Sequence, residues 1–247
     1  MIQNKLQFKK MVECCLLLTI MLLFVRVSAN ASEYKHSDKL QHKLKAQVVN
    51  FDNQGKSLIP TLLQIASNHH LPMGIERVVR EAIEQPITVK LQRGTVAKLL
   101  DLCVRQLQGY SWMPQNGTIL IYGIKELRQP SNLFNHVIPF FEVQNNTINQ
   151  ADNSLKIKLF IERERPSGGI VSSHIGSTAL EDKRLTLKVR NAKVRYILNR
   201  LAALHGEVVW IARIAPDKLS QIPQGGLWAL LPRDVQNPKV ILDQSLK

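Results

Sequence analysis

The stretch Ile87–Trp112, ITVKLQRGTVAKLLDLCVRQLQGYSW, decides the reading of this chain. Ile87, Val89 and Leu91 alternate with Thr88, Lys90 and Gln92, the period of a strand with one buried face. Gly94 is expected to break the alternation, and Thr95 stands where a helix N-cap belongs. Val96, Leu99, Leu100, Cys103, Val104 and Leu107 then fall on one stripe of an amphipathic helix. Gly109 ends that helix, and Tyr110 to Trp112 begins a new extended segment. The pattern returns as LTLKVRNAKVRYILNRLAALHGEVVW, Leu185–Trp210, at a constant offset of 98 positions and without a gap. Trp112 falls on Trp210, Leu99 on Ile197 and Leu100 on Leu198. Two copies of a strand–helix–strand unit are therefore expected. Their core is Val89, Leu91, Val96, Leu99, Leu100, Cys103, Leu107 and Trp112 in the first. In the second it is Leu187, Val189, Val194, Ile197, Leu198, Leu201 and Trp210.

Outward from the first unit, Asn116-Gly117 reads as a tight hairpin turn into the strand Thr118–Tyr122. Upstream, Ala46–Phe51 reads as a strand and Asn53-Gln54-Gly55 as a turn. Ser57 caps a helix to about Asn68, with Pro60 in its first turn. Leu71 to Ile75 leads out as a short extended piece, and 78–84 as a loop or short helix. A polar connection, 128–136, separates the halves. Val137–Val143 then reads as a strand, Asn145-Asn146 as a turn and Thr147–Phe160 as a helix, a loose echo of residues 48–66. Glu162–Arg165 alternates charge like a solvated strand end. The fold class expected is α+β: two small mixed sheets, each covered on one face by helices, from tandem duplication of a β-α-β-β unit. The halves run 46–127 (unit 86–122) and 137–215 (unit 184–212), with a flexible lead-in at 32–45 and a tail at 216–247. Val240–Leu242 is a further candidate edge strand in that tail.

The first 31 residues are read apart from this core. Lys5, Lys9 and Lys10 precede the apolar run Cys14–Val25, and Ala29-Asn30-Ala31 supplies a small-residue cleavage site, the pattern of a secretory signal peptide. The run is short for a bilayer span, so cleavage after Ala31 is expected over a retained anchor. The remaining chain then carries one thiol, Cys103, on an apolar stripe, where it reads as a small hydrophobe. A single-cysteine exported chain suits a Gram-negative periplasm. The formal charge is +14 over 247 residues. Removing four basic residues and Glu13 with the leader leaves +11 (14 less 3). The cations are scattered without the aromatic interleaving of a nucleic-acid platform, so no nucleic-acid partner is expected.

The unit of alternating strand, Gly94 turn, helix, Tyr/Trp strand and Asn-Gly hairpin resembles the short N-terminal domain shared by secretins and TonB-dependent receptors. The resemblance rests on Val89, Leu91, Val96, Leu99, Leu100, Leu107, Tyr110, Trp112, Gly117, Ile119 and Ile121. In the second copy it rests on the strand, the helix and Val208-Val209-Trp210, without the Asn-Gly hairpin. No barrel follows either copy. The resemblance implies a periplasmic docking module for an envelope protein or for a second copy of the chain, without catalysis.

Chemistry-bearing residues point the same way. His69-His70 stand at a helix end, where a partly charged imidazole is favourable, without ligands at metal spacing. Ser172-Ser173-His174 lacks a nucleophile elbow and lies in the Gly/Ser-rich segment 167–177. No catalytic residue, metal ligand or cofactor is assigned. The apolar run Leu227, Trp228, Leu230 and Leu231 is the candidate docking surface for a partner. The alternative function is a cell-wall ligand-binding protein or hydrolase working through a basic face and the 167–177 loop.

Overall fold

A computed structural model describes residues 38–78, 86–162, 183–214 and 228–233. The leader at 1–31, the 167–177 loop with Ser172, Ser173 and His174, Leu227 and residues 240–242 lie outside the described residues. So do 79–85, which include most of the expected loop at 78–84.

The chain is α+β, and its described residues form nine strands, four labelled helices and a further helical stretch at 38–44. Strand β1 (Gln47–Asp52) and helix α1 (Leu58–Asn68) are followed by β2 (Met73–Val78), β3 (Lys90–Thr95) and helix α2 (Val96–Arg105). Strands β4 (Tyr110–Gln115) and β5 (Thr118–Gly123) complete the first half. The second runs β6 (Val137–Asn146), α3 (Ile148–Glu162), β7 (Leu185–Lys193), α4 (Val194–His205), β8 (Val208–Ile214) and β9 (Trp228–Pro232).

The sheets are not distributed as expected. In place of one mixed sheet per half, a single five-stranded sheet, in the order β4-β5-β2-β8-β9, takes strands from both halves. Two separate antiparallel ribbons, β1-β3 and β6-β7, stand beside it. The central strand is β2, parallel to β5 on one side and to β8 on the other. Its sequence reads only as a short exit from α1, because a strand buried on both faces lacks the alternation that marks a half-buried one. Helix α4 packs across β5, β2 and β8, and α2 packs on β4 and β3.

Local chemistry explains the elements. Thr95 caps α2 by accepting the Lys98 N–H at 3.2 Å. Ser57 has the extended backbone of a cap but makes no side-chain cap bond. Asn116 (φ 54°) and Gly117 (φ 81°) form the hairpin turn between β4 and β5. Gly94 does not break its strand; it lies inside β3, paired with Val48. The strand instead starts late, at Lys90. Residues 87–89 are held in extended form by two carboxamides that imitate a neighbouring strand. Asn53 donates to the Ile87 carbonyl at 2.6 Å and accepts from the Val89 N–H at 3.0 Å. Gln106 does the same for Thr88, at 2.7 and 2.9 Å.

Several expectations about loops are corrected. Residues 38–44 are helical rather than a flexible lead-in, and Leu40 and Leu44 sit in the core. The connection 128–136 carries the buried Phe134, whose ring meets Trp210 at 5.6 Å and Trp228 at 6.1 Å. Glu162 closes helix α3 and is not a strand end. At His69 burial outweighs the helix-end attraction: desolvation first, and His70 second, lower its pKa below the ordinary imidazole value.

The two strand–helix–strand units share boundaries. Helices α2 and α4 begin at Val96 and Val194, and strands β4 and β8 at Tyr110 and Val208, each 98 positions apart. Ribbon registers agree as well, Phe51 facing Leu91 in one and Phe141 facing Val189 in the other. Ile148 and Leu58, the starts of α3 and α1, are offset by 90, as are Phe141 and Phe51. The most specific likeness is a hydrogen bond. The Trp112 indole N–H donates to Asp101 Oδ1 at 2.8 Å, and the Trp210 indole to Asn199 Oδ1 at 2.9 Å, each 11 residues back on the preceding helix.

The tryptophans differ in depth. Trp210 is fully buried on β8, between β2 and β9, while Trp112 is half-buried because β4 is a sheet edge. Val189, expected in the core, is also half-buried. The remaining expected core residues of both units are buried. Gly74 on β2 lies directly under Trp210; a Cβ there would fall 2.5 Å from the indole Cζ2 and Nε1. One ion pair is buried between the halves. Glu76 on β2 accepts from Arg195 Nε and, at 3.0 Å, from Arg195 Nη2. Asn135 Oδ1 accepts from Arg195 Nη1 at 2.6 Å.

Candidate functional site

The described part of the C-terminal patch is core rather than exposed apolar surface. Trp228, Leu230 and Leu231 are buried, and the segment is strand β9, the edge of the main sheet, antiparallel to β8. The Trp228 indole donates to Asp152 Oδ1 at 2.5 Å, and Lys156 pairs with the same carboxylate at 2.6 Å. An apolar run between polar segments fits an exposed patch and an edge strand equally well on sequence. The partners that decide the matter, Phe134 and Asp152, are distant in the chain.

An open cleft lies elsewhere, at the junction of the halves. Its volume is about 980 Å³. One wall is the β4–β5 hairpin, with Met113 and Asn116. The 3₁₀ turns Glu126–Arg128 and Leu133–Asn135 bring Arg128 to a second wall. The third is the end of β7 and the first turn of α4, from Val189 to Tyr196. The junction of β7 with α4 sits at the same 98-residue offset as that of β3 with α2, and the shared sheet sets it opposite the first half's hairpin.

Four of the lining residues are cations, Arg128, Arg190, Lys193 and Arg195, and none is a carboxylate. Arg195 is neutralised underneath by Glu76. The other three are exposed, and none has a carboxylate partner among the described residues. Arg190 rests against the Phe140 ring at 5.6 Å, which holds its guanidinium at the rim. Lys193 occupies the N-cap position of α4 and supplies no cap bond, and the first turn of α4 contains no acidic residue. The equivalent position before α2 is the capping Thr95. The positive end of α4 therefore adds to the field of the cations.

A second basic cluster, Lys39, Lys43, Lys183 and Arg233, lies at the opposite end of α4. Three of its four charges are occupied. Lys43 donates to the His70 carbonyl, Lys183 to the His205 carbonyl and Arg233 to the Gly206 carbonyl, satisfying helix C-terminal acceptors. Burial first, then Lys39 and Arg233, lowers the Lys43 pKa. Among the described residues no group of three His, Cys, Asp or Glu stands at metal-holding geometry, and no helix is long and apolar enough to cross a membrane.

The junction cleft was not legible as a site in the sequence, because Arg128, Arg190 and Lys193 are isolated cations there. The nearest signal was Lys193, which replaces the capping Thr95 in the aligned repeat. Compared with protein-family models, with curated proteins and with solved structures, the chain matches none of them.

Proposed function

We propose that this chain is a non-enzymatic docking module of the cell envelope, exported to a Gram-negative periplasm, that holds part of a protein partner in the cleft between its halves. The observation that carries the reading is the cleft lining: three exposed cations without carboxylate partners among the described residues, amide groups and apolar surface, with no acidic side chain in the lining. Mixed basic, amide and apolar walls suit a polypeptide, which presents backbone hydrogen bonds and side chains of alternating character. The likeness to the secretin and TonB-receptor short domain belongs to the same proposal. Matched element starts and matched Trp–Asx bonds support a duplicated unit. Folds of this size host many roles, so the site and not the fold bears the weight.

A photo-crosslinking residue placed at Asn191, on the cleft wall, tests the reading in intact cells. A discrete adduct with one envelope protein is expected, absent when the same residue is placed at exposed Ile157 on α3. Adducts identical at both positions, or none at Asn191, refute it. N-terminal sequencing of the periplasmic protein tests the export step, with Ser32 expected as the first residue.

A further inference from the structure

We infer that the occupant of the junction cleft is an extended, acidic segment of a partner protein, laid along strand β7 with its carboxylates toward Arg128, Arg190 and Lys193. The inference rests on the docking reading above and adds the chemistry of the partner. Three observations carry it, and each bears on a different property of the ligand.

Charge comes first. Three exposed cations from two separate segments converge on one cleft in which no lining residue is acidic. Lys90, Lys188, Lys156 and Arg233 by contrast each pair with a carboxylate, Asp52, Glu142, Asp152 and Glu207. An anion fills what the fold leaves unmatched. Shape comes second. Among the described residues β7 has a ladder partner on one side only, β6, and its last five residues line the cleft. A free strand edge beside a groove is the geometry of strand addition. Across the groove β4 is also an edge strand, but Pro114 removes a donor from it, which makes β7 the better template. Wall character comes third. Val189 and Ala192 stand among Arg190, Asn191 and Lys193 along β7, while Met113 and Tyr196 add apolar surface. A polyphosphate or a glycan has no apolar side chains to place there; a peptide alternating apolar and acidic residues has both.

The probe is a labelled synthetic peptide alternating Val and Asp, titrated with the full exported chain and followed by fluorescence anisotropy. Saturable binding is expected that weakens as salt is raised from about 0.05 to about 0.5 M. The Val/Asn peptide of the same length is expected to bind far more weakly. Charge reversal of Arg128→Glu or Lys193→Glu should each weaken the acidic peptide roughly tenfold, two units of charge against an exposed pair. Circular dichroism should be unchanged, and Lys39→Glu, at the other basic cluster, should leave the affinity as it was. Equal binding of the neutral peptide, or retention of binding in the doubly reversed chain, overturns the inference. So does binding of an oligonucleotide or of phosphatidylglycerol vesicles as tightly as the peptide, or no binding at all. If the Asn191 crosslink forms and the acidic peptide fails, the partner chemistry is wrong and the docking reading stands. If both fail, the docking reading falls with it.

Discussion

Replacing Trp228 by alanine asks whether the C-terminal strand is core or surface. The indole is fully buried, packed edge-on to Phe134 at 6.1 Å, with the Lys156 ammonium 5.4 Å from its centroid. A buried tryptophan removes about 150–250 Å² from water, roughly 4–6 kcal/mol at about 25 cal/mol per Å². A compact unfolded chain already hides part of that area, which lowers the figure to about 3–5 kcal/mol. Large-to-small substitutions of aromatics in cores cost the same range. Asp152 keeps Lys156 as a partner after the change, so no charge is orphaned. The net expectation is about 4 kcal/mol, or about 8–16 °C in Tm for a domain of this size. Urea denaturation followed by circular dichroism measures it. Trp228→Phe, which keeps most of the area and loses only the N–H to Asp152, should cost about 1–2 kcal/mol. A loss below about 1 kcal/mol in the alanine variant would mean that β9 contributes nothing to the core, and the apolar run would again be a free surface.

Further outcomes follow from the same packing. Gly74→Ala places a methyl against the Trp210 indole and should destabilise by about 1–3 kcal/mol in urea titrations; an unchanged midpoint would mean the close approach is not real. Glu76→Gln leaves Arg195 buried without a counter-charge and should cost about 3–5 kcal/mol, whereas Glu76→Met combined with Arg195→Met should recover most of it; a double-mutant cycle with no coupling refutes the pair. Burial pushes the Cys103 thiol up to about 12, so it should resist thiol reagents at pH 8 in the folded state and react promptly in urea. Because the unfolded thiol ionises near 9.0 and the folded one near 12, its contribution to stability is complete below pH 9 and is lost as pH rises through that window; a parent that loses more stability over that window than Cys103→Ala checks the sign. Cys103→Ser should cost about 1–3 kcal/mol, for a hydroxyl buried without an assured partner.

What the sequence discloses and what it hides divide along physical lines. Helix α2 was legible to the residue at its start because Thr95, Gly109 and the apolar stripe are local signals, and Asn116-Gly117 announced its hairpin by turn chemistry alone. The offset of 98 gave the second unit and its helix start. It also contained a bond that went unread, since Asp101 aligns with Asn199 as Trp112 does with Trp210. Strand β2 stayed hidden because Met73 to Glu76 are buried on both faces. Its partners are chosen by long-range parallel pairing, to which no turn contributes. The cleft stayed hidden for a related reason: Arg128 and Lys193 are brought together only by the sheet that joins the halves.

That shared central strand has a consequence for the order of assembly. While the chain is emerging, β2 can pair with β5 as soon as the first half is present, but its opposite edge must wait for β8, whose Val209 pairs with Met73. Until then the incomplete sheet presents a bare parallel edge, with Gly74 exposing backbone where Trp210 will later lie. Non-local parallel pairing is slow, because the long loop must close before the contacts form. A partly translated molecule therefore passes through a stage that invites pairing with a second copy. Swapped dimers exchanging β8 and β9 are the defect this topology is built to risk, and dilution during refolding is the condition that suppresses them.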